Sequence, residues 1–342
     1  MRLFGDGNTW QSIVGASALL WIVHFLILRG VQTAASINLV ATLAKLLPLG
    51  LFVVLAMMMF KLDTFKLDFT GLALGVPVWE QVKNTMLITL WVFIGVEGAV
   101  VVSARARNKR DVGKATLLAV LSALGVYLLV TLLSLGVVAR PELAEIRNPS
   151  MAGLMVEMMG PWGEIIIAAG LIVSVCGAYL SWTIMAAEVP FLAATHKAFP
   201  RIFARQNAQA APSASLWLTN ICVQICLVLI WLTGSDYNTL LTIASEMILV
   251  PYFLVGAFLL KIATRPLHKA VGVGACIYGL WLLYASGPMH LLLSVVLYAP
   301  GLLVFLYARK THTHDNVLNR QEMVLIGMLL IASVPATWML VG

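Results

Sequence analysis

Long apolar segments alternate with short polar stretches along the whole chain. Ten of the segments come close to or exceed the roughly 20 apolar residues that a helix needs to cross a bilayer. The pattern predicts membrane-spanning helices at about 11–28, 35–60, 84–104, 112–138, 162–192, 213–233, 239–262, 268–286, 289–308 and 322–341. The predicted fold class is therefore an all-α polytopic membrane protein with about ten transmembrane helices.

Basic residues are distributed unequally between the two sides of this predicted helix array. The loops after the odd-numbered segments contain 15 Lys and Arg residues, whereas the opposite side contains six and Lys45 lies within a segment. Positive charge marks the cytoplasmic side, so the first residue is expected to face outward. Because an outward start without a signal sequence is uncommon, we expect an odd number of further spans before Met1.

The composition excludes several classes of protein. The chain is 61% hydrophobic and 11% charged, against about 25% charged in a soluble domain, so most of its surface is expected to contact membrane lipid. The net charge of +7 is dispersed among the loops, and no nucleic-acid partner is expected. The four cysteines lie in apolar segments without the additional ligands of a metal site. No cofactor is predicted, and no nucleophile–base pair indicates an enzyme.

Ionisable residues inside membrane segments are energetically costly and usually face a cavity or a partner. They are Lys45, Glu97, Glu188 and Glu246, with His24 as a weaker member of the set. Glu97 is the most informative because Gly95 and Gly98 lie on either side of it, and glycine weakens a helix. Broken membrane helices form the binding sites of many secondary transporters. The alternative is a face of small residues that packs on a neighbour, with Glu97 neutral and hydrogen-bonded.

The segment around Glu97, TLWVFIGVEGA at Thr89–Ala99, resembles the sixth, broken helix of the basic amino acid/polyamine antiporter family. This family belongs to the amino acid–polyamine–organocation superfamily and has the leucine-transporter fold. The resemblance continues through RARNKRDV at 105–112, SWT at Ser181–Thr183 and FPRIFAR at Phe199–Arg205. It covers essentially the whole chain and is strongest to the arginine/ornithine antiporters.

The resemblance implies a single transmembrane domain over residues 1–342, with no soluble domain. The domain would correspond to family helices four to thirteen. The family's first helix has a Gly-rich break whose amides hold the substrate carboxylate, and this sequence has no such motif. We therefore expect an incomplete leucine-transporter fold that lacks the first three helices, which agrees with the odd number expected from the charges.

The resemblance also implies roles for individual residues of the site. Trp91, Ile94 and Gly95 would contact the substrate at the broken helix. Trp182 would place its indole face against the substrate cation, and Glu97 would act in gating or coupling. For the two tryptophans, packing or a place in an interfacial belt is the alternative.

Lys45 resembles the fifth-helix lysine that replaces a sodium ion in proton-coupled relatives, which implies a role in gating or coupling. The alternative is a lysine that snorkels to the cytoplasmic surface, about three turns away.

The predicted function is the exchange of small cationic amino acids across the cell inner membrane by a multi-pass protein. Arginine, ornithine, lysine and polyamines all suit a site with one carboxylate and two tryptophans. Homodimers are common among the relatives that the resemblance indicates. Two other functions stay open: a proton-coupled amino-acid symporter of the same fold, and a non-transporting truncated membrane scaffold.

Overall fold

The computed structural model describes residues 9–341 except positions 69, 102, 104, 105, 107, 147, 148, 235, 236, 313–317 and 319. In this described part the chain forms fourteen α-helices and no β-strand. The helices are α1 (Trp10–Leu28), α2 (Val31–Met59), α3 (Leu62–Lys66), α4 (Val78–Phe93), α5 (Gly98–Val101), α6 (Lys109–Val137), α7 (Arg140–Glu145), α8 (Ser150–Met159), α9 (Pro161–Thr195), α10 (Ser213–Thr233), α11 (Tyr237–Ile262), α12 (Pro266–Ser286), α13 (Pro288–His312) and α14 (Arg320–Val341).

Seven described segments are helical, long and apolar enough to cross a membrane. They are Trp10–Leu28, Leu39–Met59, Asp111–Val137, Pro161–Thr195, Ser213–Thr233, Ala244–Ile262 and Pro266–Ser286. The other three predicted spans coincide with α4 and α5, with α13 and with α14. The all-α polytopic membrane fold is therefore confirmed, although the span predicted at 84–104 is interrupted rather than continuous.

The stretch between residues 138 and 161, predicted as a connecting loop, contains α7 and α8 instead. The second of these helices has ten residues, too few to cross a bilayer. It nevertheless buries Leu154 and Met155 against Phe52 of α2 and Ile167 of α9. This connection is thus part of the apolar core.

Polar side chains join α1 and α10, which are both unbroken helices. The Gln224 carboxamide accepts a hydrogen bond from Trp21 Nε1 at 3.1 Å and donates one to Ser17 Oγ at 2.9 Å. Nδ2 of Asn220 lies 2.7 Å from Nδ1 of His24, and both side chains are fully buried. These five residues are called the α1–α10 polar seam below.

Two groups of helices enclose α4 and α5. On one side lies α9, whose 35 residues also pack against α2, α8 and α10. On the other side lie α11 and α12, which pack along each other and against α4. Leu90 of α4, Leu249 of α11 and Leu282 of α12 form a buried cluster between these three helices. The junction of α4 and α5 is consequently held between α9 and the α11–α12 pair.

Candidate functional site

The helix that carries Glu97 is interrupted where the two glycines predicted it. α4 ends at Phe93, and α5 begins at Gly98. Ile94 is extended, with φ −61° and ψ 132°, and Gly95 has φ +103°, a conformation that glycine adopts without the strain a Cβ would cause. The Gly98 N–H closes the turn by donating to the Gly95 carbonyl at 3.0 Å. We call residues 94–97 the helix break.

The carboxylate of Glu97 is held by two hydrogen bonds to the protein. Its Oε2 accepts from the backbone N–H of Gly95 at 3.0 Å and from the hydroxyl of Tyr252 at 3.2 Å. The first bond satisfies a donor freed by the end of the helix, and the second ties the helix break to α11. In the described part of the chain, Glu97 forms no ion pair with a basic side chain. The carboxylate is therefore part of the structure of the break itself.

Trp182 and Met185 of α9 pack directly on the glycines of the break. A Cβ placed on Gly95 would lie 2.8 Å from Trp182 Cζ2, and one placed on Gly98 would overlap the sulfur of Met185. The two side chains are three residues apart and so share one face of α9. The indole of Trp182 remains 43% exposed. The two glycines consequently have both roles considered for them. They form the helix break, and they also provide a small-residue face on which α9 packs closely.

Trp91 lies in the last turn of α4, and Ile94 follows the end of that helix. Both side chains are half-buried. On the other side of this turn, the Tyr127 hydroxyl of α6 donates to the Val92 carbonyl at 3.3 Å, and the Tyr127 ring meets Phe93 edge-on. The structure thus brings Trp91, Ile94, Gly95, Glu97 and Trp182 together around one break.

Lys45 does not belong to this group. It lies half-buried on α2, three residues before Pro48, which packs against Gly170 of α9. Gly170 precedes Trp182 by twelve residues, about 18 Å along a helix. Among the described residues no hydrogen bond or ion pair joins Lys45 to the break. Its role in coupling stays a prediction.

The other two glutamates predicted inside membrane segments are buried, whereas Glu97 is half-buried. Glu188 lies on α9 at 1% exposure, and Glu246 lies on α11 at 3%. α11 continues without interruption through Pro251. Within the described residues, no group of three or more His, Cys, Asp or Glu side chains could hold a metal ion.

Sequence reasoning did not identify Tyr252 and Met185 as part of this site. Tyr252 directly follows the proline of α11, and a phenol within an apolar span requires a partner for its hydroxyl. That signal points to a polar contact without naming Glu97. Met185 is an apolar residue in an apolar helix, and no sequence signal distinguishes it from its neighbours.

The profile of the amino acid permease family matches residues 2–330. The arginine/ornithine antiporter of Pseudomonas aeruginosa is 44% identical over 327 residues, which cover 90% of this chain and 68% of the relative. The arginine/agmatine antiporter of Chlamydia caviae is 41% identical over 331 residues, covering 92% and 68%. That of Chlamydia pneumoniae is 38% identical over 353 residues, covering 97% and 73%.

These matches extend over nearly all of the helices described above, including the helix break and the helices that enclose it. The similar proteins are transporters and not enzymes, in agreement with the prediction from the sequence. With seven helices in the described part of the chain that could cross a membrane and a family profile that matches residues 2–330, the chain is a multi-pass membrane protein that belongs to the amino acid permease family.

Proposed function

We propose that this protein exchanges cationic amino acids of the arginine and ornithine type across the cell inner membrane. The observation that carries the proposal is the helix break, which places partly exposed aromatic side chains beside non-helical backbone inside an apolar span. Irregular backbone within a membrane is tolerated where it lines a cavity or is buried in protein. The antiporters of Pseudomonas aeruginosa and Chlamydia caviae, which are 44% and 41% identical to this chain, support a substrate with a cationic side chain.

The substrate is proposed to bind beside the break. Its guanidinium or ammonium group lies against the indole face of Trp182, where the ring quadrupole attracts a cation. Its aliphatic stem contacts Trp91 and Ile94, and Gly95 allows it to approach the backbone closely.

Glu97 is proposed to act in gating and not as a counter-ion. Its carboxylate oxygen is already engaged by the Gly95 N–H and the Tyr252 hydroxyl. A change in the distance between α11 and the break would alter the bond to Tyr252 without any change in the substrate contacts of Trp182.

Counterflow provides the test of this function. The purified protein, in a transport-competent full-length form, is reconstituted into vesicles, and uptake of radiolabelled arginine is compared between empty vesicles and vesicles loaded with arginine, ornithine or leucine. Exchange predicts uptake only into vesicles loaded with a cationic amino acid, and competition by ornithine but not by leucine. Absence of both arginine exchange and arginine binding would contradict the proposal.

Proton-coupled symport is the second candidate, and the half-buried Lys45 on α2 is the observation that favours it. Under symport, a proton gradient drives uptake into empty vesicles, and Lys45→Met removes the dependence of uptake on pH. Sodium-stimulated uptake would contradict a lysine that replaces a sodium ion.

The proposed assembly is a homodimer of one-domain chains, and light scattering in detergent measures its mass.

A further inference from the structure

An aromatic cluster with one lysine lies where α4 begins and α12 ends. The ring centroids of Trp79 and Trp281 are 4.5 Å apart, and those of Trp281 and Tyr284 are 5.6 Å apart. The Nζ atom of Lys83 lies 5.0 Å from the centre of the Tyr284 ring, within the range of a cation–π contact. We call Trp79, Lys83, Trp281 and Tyr284 the α4–α12 cluster. It is separate from the helix break, which lies at the other end of α4.

The outer part of this cluster is accessible. Trp79 and Tyr284 are each 61% exposed, although large aromatic side chains usually bury most of their surface. The indole N–H of Trp281, in contrast, points inward and donates to the sulfur of Met86 at 3.1 Å. Trp281 therefore contacts both exposed rings and is itself fixed by its hydrogen bond to α4.

The charge of Lys83 has no carboxylate partner among the described residues. Glu80 lies three residues earlier on the same helix and is exposed, but it forms no ion pair with Lys83. The ammonium group of a lysine has three donors, and the ring of Tyr284 uses only its electrostatic attraction. The donors of Lys83 are thus free to bind an anionic group outside the protein.

The position of the cluster relative to the membrane identifies the anion. The 15 basic loop residues mark the opposite side as cytoplasmic, so α4 begins and α12 ends at the outer interface. Tryptophan and tyrosine are enriched at this depth, where the headgroups of the lipids lie. The anion available there in every phospholipid is the phosphate.

An apolar stripe on α12 continues from the cluster toward the membrane centre. Ile277, Leu280 and Tyr284 are spaced at i, i+3 and i+7, which places them on one face of the helix. Each is more than half exposed. A phosphate beside Lys83 would consequently have an uncovered apolar track beneath it that suits an acyl chain.

We propose that the α4–α12 cluster binds one phospholipid of the outer leaflet, with its phosphate on Lys83 and an acyl chain along Ile277 and Leu280. The exposed rings of Trp79 and Tyr284 flank the headgroup. Lys83 precedes Ile94 by eleven residues on the helix that leads to the break, about 16 Å along its axis. A bound lipid would therefore hold the outer end of this helix against α12.

Native mass spectrometry of the delipidated protein tests the proposal. The probes are phosphatidylglycerol, phosphatidylcholine and a diacylglycerol of the same chain length that lacks the phosphate. We expect the first molecule of phosphatidylglycerol or phosphatidylcholine to bind at least about tenfold more tightly than the first molecule of diacylglycerol. This ratio of dissociation constants corresponds to about 1.4 kcal/mol. Lys83→Gln is expected to remove that difference, because only the phosphate contact is lost.

Lys66→Gln is the matched control. Lys66 is an exposed lysine at the end of α3 on the same side of the membrane, and its replacement should leave lipid binding unchanged. Tyr284→Leu keeps an apolar side chain but removes the ring beside the headgroup, and it should weaken the binding of both phospholipids. Size-exclusion chromatography confirms that each variant is folded before it is compared.

Three results would overturn the proposal. Equal binding of phospholipid and diacylglycerol would show that the phosphate is not recognised. Unchanged phospholipid binding by Lys83→Gln would show that the phosphate lies elsewhere. Disulfide formation between two copies of Tyr284→Cys in native membranes would show that a second copy of the chain covers this face.

Discussion

The helix break and the α1–α10 polar seam both place polar groups inside the membrane-spanning part of the chain, but they satisfy those groups differently. In the seam, side chains of two continuous helices bond to each other at several levels, through Gln224 and through the His24–Asn220 pair. In the break, one carboxylate bonds to the backbone of its own segment and to the single hydroxyl of Tyr252.

This difference has an energetic consequence. One hydrogen bond between membrane helices contributes about 0.6 kcal/mol on average, which is close to thermal energy. Among the described residues, one hydrogen bond therefore joins α11 to the break, beside the apolar contact of Leu249 with Leu90. Separation of α1 from α10 would require the loss of three bonds at once. The seam has the properties of a fixed scaffold, and the break has those of a moving part.

Gly95→Ala should have the largest effect on the break. Alanine at φ +103° is strained, and its Cβ would also displace Trp182. We expect arginine exchange to fall by about 30-fold or more, which corresponds to about 2 kcal/mol, in initial rates measured with reconstituted vesicles.

Gly125→Ala in α6 is the control for this change, because a Cβ at that position meets open space. It should leave exchange unaltered. Normal exchange by Gly95→Ala would show that the conformation of the break is not needed for transport.

Glu97→Gln should slow turnover by more than about tenfold while the arginine dissociation constant stays within about tenfold of its original value, or about 1.4 kcal/mol. The amide keeps the size of the side chain but loses the charge that strengthens the bonds to Gly95 and Tyr252. Exchange rates and scintillation-proximity binding, measured on the same preparation, separate the two quantities.

Glu164→Gln, at an exposed position in the first turn of α9, is the matched control and should be silent. If Glu97 acts through Tyr252, the variant Tyr252→Phe should slow exchange less than Glu97→Gln does. Combining the two changes should slow exchange little more than Glu97→Gln alone. A large loss of binding with unchanged turnover would make Glu97 a counter-ion for the substrate instead.

Trp182→Leu should have a smaller effect, and one on affinity. It retains an apolar side chain but removes the ring quadrupole. At a site that is 43% exposed, a cation–π contact contributes about 0.5–1 kcal/mol. We expect arginine affinity to fall by about two- to fivefold, as measured by equilibrium binding.

Trp162→Leu serves as the control, since Trp162 is an exposed tryptophan at the outer end of the same helix. An unchanged dissociation constant for Trp182→Leu would assign Trp182 to packing alone.

Asn220→Leu should have the smallest effect on transport, because it lies in the seam. The change leaves the buried His24 without its partner, and we expect a loss of stability of about 1 kcal/mol. Thermal unfolding should shift to lower temperature while exchange changes less than about twofold.

Cys226→Leu, an exposed position on the same helix, should leave thermal unfolding unchanged. A strong loss of exchange by Asn220→Leu at normal stability would show that the seam moves during transport, and would remove the distinction between the two regions.

Much of the fold follows from local properties of the sequence. A membrane span needs an apolar helix of a given length. The sequence of α10 meets this requirement by itself, whatever the neighbouring helices are. The helix break is local in the same sense, because Gly95 and Gly98 weaken the helix whatever packs beside them. The seven spans of the described residues and the position of the break could therefore be predicted.

The contacts of the break were not available to such reasoning. Glu97 and Tyr252 are 155 residues apart, and an acid within a span indicates that a partner exists without indicating which helix supplies it. α8 is similar, because it is too short for a span and its burial depends on Phe52 and Ile167 from other helices.

Hydropathy and glycine content are properties of a single segment. The sequence of Thr89–Ala99 was therefore sufficient to predict where the helix is broken. Which side chains would line that opening was decided by the packing of α9 and α11. Trp182 and Met185 pack on the two glycines because these have no Cβ. The hydroxyl of Tyr252 requires an acceptor inside the protein, and Glu97 provides it. These are properties of pairs of distant residues, and they exist only once the helices have assembled.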